Sequence, residues 1–569
     1  MAIKTGAQII WESLVKEGVE VVFGYPGGTI LPAYDAMLDY PIHHVLVRHE
    51  QGAAHAADGY SRASGKVGVA VATSGPGATN LVTGIATAML DSSPMVCITG
   101  QVGTSVIGSD AFQEVDITGV TLPVTKHNYL VTNVKDLART IREAFHIAKT
   151  GRPGPVLVDI PKDIQNAKCE FIYPTDPFDY PRRRNQVVSE ADLERAAEMI
   201  NKAERPVILA GHGVQISGAT RELMEFANKT QIPVALTLLG LGVFPRAHPL
   251  CLGMMGMHGE AYANRAVQSA DLLIAVGMRF DDRVTGNLKT YAKHAKKIHI
   301  EIDPSEVAKN VHVDLPMLGD ARAVLQQLMP RVNPAPREPW HGQIHEWRIE
   351  TASRDVLRKE DIEGLAPAHV MNDLWQATDG NALVVSDVGQ NQMWEAQYYR
   401  HDIPRGLVTS GGLGTMGFAL PAAIGARFAR PDANIWVVAG DGGFQMTQAE
   451  LATMMQEKLK LNIAIINNGF LGMVRQWQEF FYERRYAATP ILSPDFCKLA
   501  DAYGIRAMRV TRREEVIPSI QAAQADPGPV LIDFRVIQED AVYPMVPAGA
   551  DLQAMIRRPT AAEEMEGSK

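Results

Sequence analysis

Gly440-Asp441-Gly442 is followed, after 24 residues, by Asn467-Asn468. A carboxylate and an amide oxygen suit Mg²⁺, which takes few protein ligands and completes its octahedron with water and phosphate oxygens. The setting carries more weight than the letters. Ile435 to Ala439 is an apolar run ending directly before Gly440-Asp441, and Leu461 to Ile466 is another ending at Asn467. Between them Thr447-Gln-Ala-Glu450 has the pattern of a capping box that opens a helix. One βαβ unit therefore brings Asp441 and Asn468 to the same sheet rim, beside a helix N-terminus whose free N–H groups attract phosphate. Gly442 and Gly443 let a backbone approach an anion closely. Alone, Asp441 would be a turn residue and Asn468 a loop cap; together they predict a metal-bridged diphosphate site.

Such units recur along the chain. Short Val/Ile-rich runs alternate with amphipathic stretches, which predicts α/β architecture with parallel sheets and ligands beyond the carboxyl ends of the strands. Early strands are expected at Val19 to Phe23, His44 to Val47, Val67 to Ala72, Met95 to Thr99 and Val156 to Ile160. Pro174 to Arg184, and Pro330 to Pro339 with the charged stretch after it, read as linkers. They divide the 569 residues into 1–180, 190–345 and 360–548, with an acidic tail at 549–569 expected to be mobile. Pro153-Gly-Pro-Val-Leu-Val-Asp159 returns as Pro527-Gly-Pro-Val-Leu-Ile-Asp533, so the outer segments read as two versions of one unit. In the middle segment Val207 to Ala210 leads into Gly211-His-Gly213, Leu272 to Val276 into Gly277-Met-Arg279, and Ile298 to Ile302 into Asp303-Pro304. That predicts a third α/β layer with a nucleotide-shaped site, although no Gly-x-Gly-x-x-Gly follows its first strand.

Composition narrows the field. Lys plus Arg is 55 against 64 for Asp plus Glu, a net charge of −9, which argues against nucleic acid as a partner. No uncharged apolar run approaches the roughly 20 residues needed to span a bilayer. Cys97, Cys169, Cys251 and Cys497 form no Cys-x-x-Cys pair, so neither a disulfide framework nor a thiolate metal site is expected. A cytoplasmic protein without a targeting segment fits.

Gly-Asp-Gly spaced to Asn-Asn in this way resembles the thiamine diphosphate motif of thiamine-dependent enzymes. Essentially the whole chain is similar to the catalytic large subunits of the acetohydroxyacid synthase (acetolactate synthase) family. The likeness is carried by Phe23-Gly-Tyr-Pro-Gly-Gly28, Arg48-His-Glu-Gln-Gly-Ala-Ala-His55, Ser74-Gly-Pro-Gly-Ala-Thr-Asn80 and Asp110-Ala-Phe-Gln-Glu114. It continues in Arg279-Phe-Asp-Asp-Arg-Val-Thr-Gly286, Gly411-Gly-Leu-Gly-Thr-Met-Gly417 and Leu471-Gly-Met-Val-Arg-Gln-Trp477. The resemblance implies three doubly wound parallel-sheet domains, two related thiamine diphosphate-binding domains flanking one for FAD. It implies decarboxylation of pyruvate and condensation of the two-carbon unit with pyruvate or 2-ketobutyrate, a first common step toward valine, leucine and isoleucine.

The resemblance also assigns residues. Glu50 is the acid beside the cofactor's pyrimidine, where on its own it would be a favourable helix N-terminal charge, and Asn80 is a further cofactor contact. Met416 supports the bent cofactor next to Gly414, where on its own it would be core filler. Diphosphate contacts fall to Gly389, Gln390, Asn391 and Gln392, then to Gly440, Gly442, Gly443 and Met473. The metal falls to Asp441, Asn468 and the carbonyl of Phe470. The family commonly has His where this chain has Asn391, whose amide can still donate to phosphate. Gly28 and Gln113 approach the reacting centre; Lys162 and Arg283 stand near the substrate entrance, though Arg283 could also be a plain surface partner of Asp282. Trp477 is linked to acceptor preference. FAD contacts are implied for Arg152, Gly211, Gly213, His258, Arg279, Glu301 and Asp320; a solvated strand end is the other reading of Glu301. The flavin would be structural, because the reaction has no net redox change. A homodimer or homotetramer with sites between chains, and a separate small regulatory subunit, are implied as well. The rival readings are an FAD-dependent pyruvate oxidase, a glyoxylate carboligase, a nicotinamide dehydrogenase and a non-catalytic cofactor-binding scaffold.

Overall fold

The computed structural model describes residues 2–176, 178, 188–359, 362–560 and 563. Its three six-stranded sheets are parallel throughout. The first is built from Val21–Gly24, His43–Leu46, Gly68–Ala72, Met95–Gln101, His127–Leu130 and Pro155–Pro161. The third uses Leu383–Ser386, Leu407–Thr409, Ile435–Gly440, Asn462–Asn467, Arg506–Val510 and Val530–Arg535. Numbered along the chain, the strands of both sheets lie in the order second, first, third, fourth, sixth, fifth. The repeated Pro-Gly-Pro-Val-Leu segment feeds the sixth strand in each, so the echo in the sequence marks a duplicated unit. The middle sheet, Pro206–Ala210, Val234–Leu236, Cys251–Met254, Leu272–Val276, Lys296–Glu301 and Leu315–Leu318, runs third, second, first, fourth, fifth, sixth. Its order reverses between the first and fourth strands, where such sheets open a ligand crevice.

Strands buried on both faces read as continuous apolar runs, and Pro155–Pro161, buried throughout, is one. The outer sheets are joined within one chain by two small-residue helices, Glu50–Ser64 and Ala419–Ala429. Gly59 and Gly425 sit at their crossing: a Cβ on Gly59 would overlap the Ala422 carbonyl, and one on Gly425 the Ala56 carbonyl. Phe23, Tyr60, Phe418 and Phe444 therefore share a single core that spans both sheets.

Three expectations need correction. Thr447-Gln-Ala-Glu450 is not a capping box. The helix begins at Asp441 and runs to Thr447, whose hydroxyl donates to the Gly417 carbonyl at 2.9 Å, while Glu450 turns away toward the first domain. Two glycines in the first turn lower helix propensity and hid this start. The charged stretch after Pro339 is not a linker: Glu338–Ala352 is helical, Trp340 is buried and donates to the Pro206 carbonyl at 3.2 Å, and Arg337 donates to the carbonyls of Ile200, Ala203 and Thr230. The tail is docked as far as it is described. Leu552 is buried, Gln268 donates to the Asp551 carboxylate at 3.0 Å, Arg557 pairs with Glu350 at 2.7 Å and Glu563 with Arg354 at 2.9 Å. Apolar and basic residues ahead of the acidic end hold it. Residues 177, 179–184, 561, 562 and 564–569 of the two expected mobile or linking stretches lie outside the described residues. Among the described residues no helix is long and apolar enough to cross a membrane, and the four cysteines are free thiols.

Candidate active site

The rim of the third sheet gathers the metal and diphosphate residues at its own order reversal, between Leu383–Ser386 and Ile435–Gly440. Asp441, 1% exposed, follows the third strand, and Asn468 follows the adjacent fourth. Burial raises the Asp441 carboxyl above the usual range, and what opposes this is the Ser493 hydroxyl, donating at 2.8 Å, and backbone N–H groups, with no basic side chain. A buried acid in that condition is suited to a cation. The Asn468 amide donates to Gln390 Oε1 at 3.1 Å, and its oxygen accepts the Phe470 N–H at 3.2 Å. Among the described residues no three His, Cys, Asp or Glu cluster as metal ligands, so a divalent ion here would rely on one carboxylate, neutral oxygens and its own phosphate partner.

The loops around this pair are fixed by a residue the sequence did not single out. Asp387, fully buried after Ser386, accepts N–H from Val388 at 2.8 Å and from Gly417 and Ala419 at 3.0 Å. A Cβ on Gly443 would overlap its carboxylate. Asp387 thus ties the Gly389 turn, the Met416 loop and the Asp441 helix together. Its signal was a charged residue set directly after an apolar strand and before a Gly. Asn391 also differs from expectation. Its Nδ2 donates to the carbonyls of Asp387 and Val438, stitching two strands and leaving no side-chain N–H for a phosphate. Gln392 donates to Thr409 and Ser410, and Gly389 and Gly414 adopt positive φ, +146° and +70°. Met416 Cε stands 3.6 Å from where a Cβ on Gly442 would lie.

From this rim a cleft of about 930 Å³ runs across the middle sheet. Gly389, Gln392, Gly414, Met416, Met473 and Trp477 line one end. Arg152, Gly213, His258, Arg279, Arg283, Glu301 and Asp320 line the remainder, and Gly211 does not. At the sheet's order reversal the backbones of Gly213 and Gly277 touch, since a Cβ on Gly213 would lie 2.6 Å from Gly277 Cα. Burial raises the Glu301 carboxyl, which accepts N–H from Ile302 at 2.8 Å and Asp303 at 3.0 Å. Burial also holds His258 neutral, pushed down to about 4. Arg152 crosses from the first domain, donating to Ser92 at 2.8 Å and pairing with Glu306 at 2.8 Å. Asp320 caps the helix Ala321–Leu328. Arg283 makes the expected surface pair with Asp282 at 3.4 Å while also facing the cleft.

The remaining residues form a separate group at the rim of the first sheet. Glu50 opens its helix, and its Oε2 accepts the Asn80 amide at 2.9 Å. Gln113 adopts a positive φ of +59° and its carbonyl lies 2.7 Å from where a Cβ on Gly75 would stand. Gly28 follows Val21–Gly24, and Lys162 opens the helix after Pro155–Pro161. None of Gly28, Glu50, Asn80, Gln113 and Lys162 lines the cleft. Between the groups lies a buried cluster that sequence reading missed. Arg62 donates to Asp58 at 2.7 Å and to Asp91 at 2.9 Å, and Asp91 accepts N–H from Gly411 and Gly412 at the cleft's edge. The i, i+4 pair Asp58/Arg62 was the visible signal; that it is buried was not.

Comparison with known proteins matches this layout domain by domain. Residues 4–120 match the thiamine pyrophosphate enzyme N-terminal TPP binding domain, 193–328 the central domain and 387–534 the C-terminal TPP binding domain. An acetolactate synthase large subunit of Corynebacterium glutamicum is 50% identical over 96% of this chain and 89% of its own length. A probable acetolactate synthase large subunit of Methanocaldococcus jannaschii is 46% identical over 97% and 95%. An acetolactate synthase of Mycobacterium bovis is 48% identical over 96% and 90%. With all three domains matched and relatives this close across the full layout, the chain belongs to the acetolactate synthase large-subunit family of thiamine pyrophosphate enzymes.

Proposed function

We propose that this chain is the catalytic subunit of an acetolactate synthase, joining the two-carbon unit of a decarboxylated pyruvate to a second 2-ketoacid. The observation that carries the reading is the buried Asp441, with no basic side chain to offset its burial, following the strand next to the one that Asn468 follows, at a rim where Asp387 holds the N–H groups of Val388, Gly417 and Ala419. When bound, thiamine diphosphate supplies the electron sink for decarboxylation. Asp441, Asn468 and the Phe470 carbonyl would hold Mg²⁺. Gly389, Gln390, Gly442, Gly443 and Met473 would receive the diphosphate, with Asn391 acting as a stitch behind them. Met416 supplies an apolar prop above Gly442. Glu50 would hold a proton at the pyrimidine nitrogen, a task that needs a dry pocket. Arg283 would exchange its exposed pair with Asp282 for a two-toothed grip on a ketoacid carboxylate, and Trp477 lines the cleft as well. The long cleft over the middle sheet fits FAD, with Gly213 and Gly277 leaving a bare backbone and Glu301 placed for ribose hydroxyls; it keeps a structural part. The relatives' designation as large subunits supports a small regulatory partner. A cytoplasmic location suits four free thiols.

Neither Glu50, Gly28 and Gln113 nor Asp441 and Asn468 line the cleft; as the family resemblance implies, a second copy would bring Glu50 to the rim that holds Asp441. Large apolar side chains stand exposed near both halves, with Phe112 at 87% and Leu492 at 96%. Hybrids of Glu50→Ala with Asp441→Ala chains are expected to regain activity that neither parent has; if none returns, each chain is self-contained. Incubation with thiamine diphosphate, Mg²⁺, pyruvate and 2-ketobutyrate is expected to give acetolactate and acetohydroxybutyrate. Hydrogen peroxide with acetate, or no product, would overturn the activity.

A further inference from the structure

Glu450 is 2% exposed and belongs to the same domain as Asp441, yet its carboxylate leaves that domain. Oε1 accepts the backbone N–H groups of Arg48 and His49, each at 3.1 Å, and Oε2 accepts the Thr453 hydroxyl at 2.6 Å. These two N–H groups lie immediately ahead of Glu50, at the mouth of a 15-residue helix. The nearest guanidinium does not compete: Arg48 donates to the Leu46 carbonyl and to Gln456, both at 2.8 Å. The fit explains a glycine in the first turn, since a Cβ on Gly52 would overlap Glu450 Oε1. The same seam holds Thr453 against the Leu46 carbonyl at 3.3 Å and His43 against Glu457 at 2.8 Å.

We propose that Glu450 is the positioning residue for Glu50, reaching across the domain seam to hold the turn from which that carboxyl projects, while Asn80 holds the carboxyl itself. Two fixed points leave the side chain one direction in which to present its proton. This rests on the two-chain site proposed above and adds a division of labour. Each C-terminal domain holds a cofactor in its own cleft and, through Glu450, aims its own chain's Glu50 at the other cleft. A lesion at Glu450 therefore damages the site that Glu50 of its chain serves, and spares the site where its chain supplies Asp441.

Hybrid dimers isolated through two affinity tags separate these sites. Glu450→Gln, which keeps the volume but loses one acceptor, is expected to lower kcat about tenfold with a smaller change in KM for pyruvate, a loss typical of a misplaced catalytic group. Paired with Asp441→Ala chains it should regain a site working at the full rate, because both lesions fall on one site. Paired with Glu50→Ala chains it should regain none. The reverse pattern would mean that Glu450 serves its own domain's cofactor, and the proposal would be wrong. The Glu50→Ala with Asp441→Ala hybrid is the control: its failure would count against the two-chain site, and the amides would then decide. Hydrogen exchange at Arg48 and His49 in the cofactor-free protein should speed up in Glu450→Leu, which removes both acceptor oxygens, and unchanged exchange there would overturn the proposal whatever the hybrids do. If Glu450→Gln does not fold, Thr453→Val, which removes the hydroxyl shared between Glu450 and the Leu46 carbonyl but leaves the two amide bonds, should give the same hybrid pattern in weaker form.

Discussion

Replacing Arg62 with Met removes the one cation from a cluster with two buried carboxylates. Arg62 is 5% exposed and Asp58 is fully buried. The guanidinium donates to both Asp58 oxygens, at 2.7 and 2.9 Å, to Asp91 at 2.9 Å and to the Thr409 carbonyl at 2.8 Å. Burial pulls its pKa down, and Asp58 and Asp91 more than offset that, so the net shift is upward. Met fills much of the volume but leaves Asp58 without a donor. Breaking a buried pair from one side costs about 3–5 kcal/mol. For a domain of 150–250 residues each kcal/mol is worth about 2–4 °C, so the cofactor-free protein should melt on the order of 10 °C lower. Asp91 keeps the N–H groups of Gly411 and Gly412 at 2.9 and 2.6 Å, so the stranded charge is chiefly Asp58. The double variant Arg62→Met with Asp58→Leu should therefore melt higher than Arg62→Met alone, a coupling that independent sites would not show. Melting followed by circular dichroism at fixed protein concentration measures both. A single-variant shift below about 2 °C, or a double variant less stable than the single, would refute the assignment of the cost to a stranded carboxylate.

Three further outcomes follow from the same physics. Burial pushes Asp387 up from 3.8 to about 6 despite three N–H donors; a raised carboxyl contributes stability fully present below about 4 and lost as pH rises through about 6. The melting difference between the native chain and Asp387→Asn should shift across that window, and a difference that stays flat would show that Asp387 titrates normally. At the helix crossing, Gly425→Val drives a branched side chain into the Ala56 carbonyl and should cost about 1–3 kcal/mol or more, read as a lower melting temperature. Gly342→Ala, with open space at its Cβ on the Glu338–Ala352 helix, should be neutral or up to about 1 kcal/mol stabilising.

Much of the molecule was legible from residue order alone, for local reasons. An apolar run ending at a glycine turn fixes a parallel strand and the rim on which its successor lies, so Ile435 to Ala439 placed Asp441, and Leu461 to Ile466 placed Asn468, within one residue of where the strands end. The repeated Pro-Gly-Pro-Val-Leu marked two sheets that prove to have one strand order. What failed were inferences from short patterns whose partners lie far away. Thr447 and Glu450 have cap chemistry, yet Thr447 bonds to Gly417 and Glu450 to Arg48 and His49, because a buried carboxylate takes whichever N–H groups the packing leaves unmatched. The acidic tail was judged by its charge, while Leu552 decided where it goes. Sequence thus determined which chemical groups stand at which sheet rim. Only tertiary structure decided how the rims that carry Glu50 and Asp441 are joined, since a helix crossing set by Gly59 and Gly425 fixes how the two sheets face, and no spacing along the chain encodes that angle.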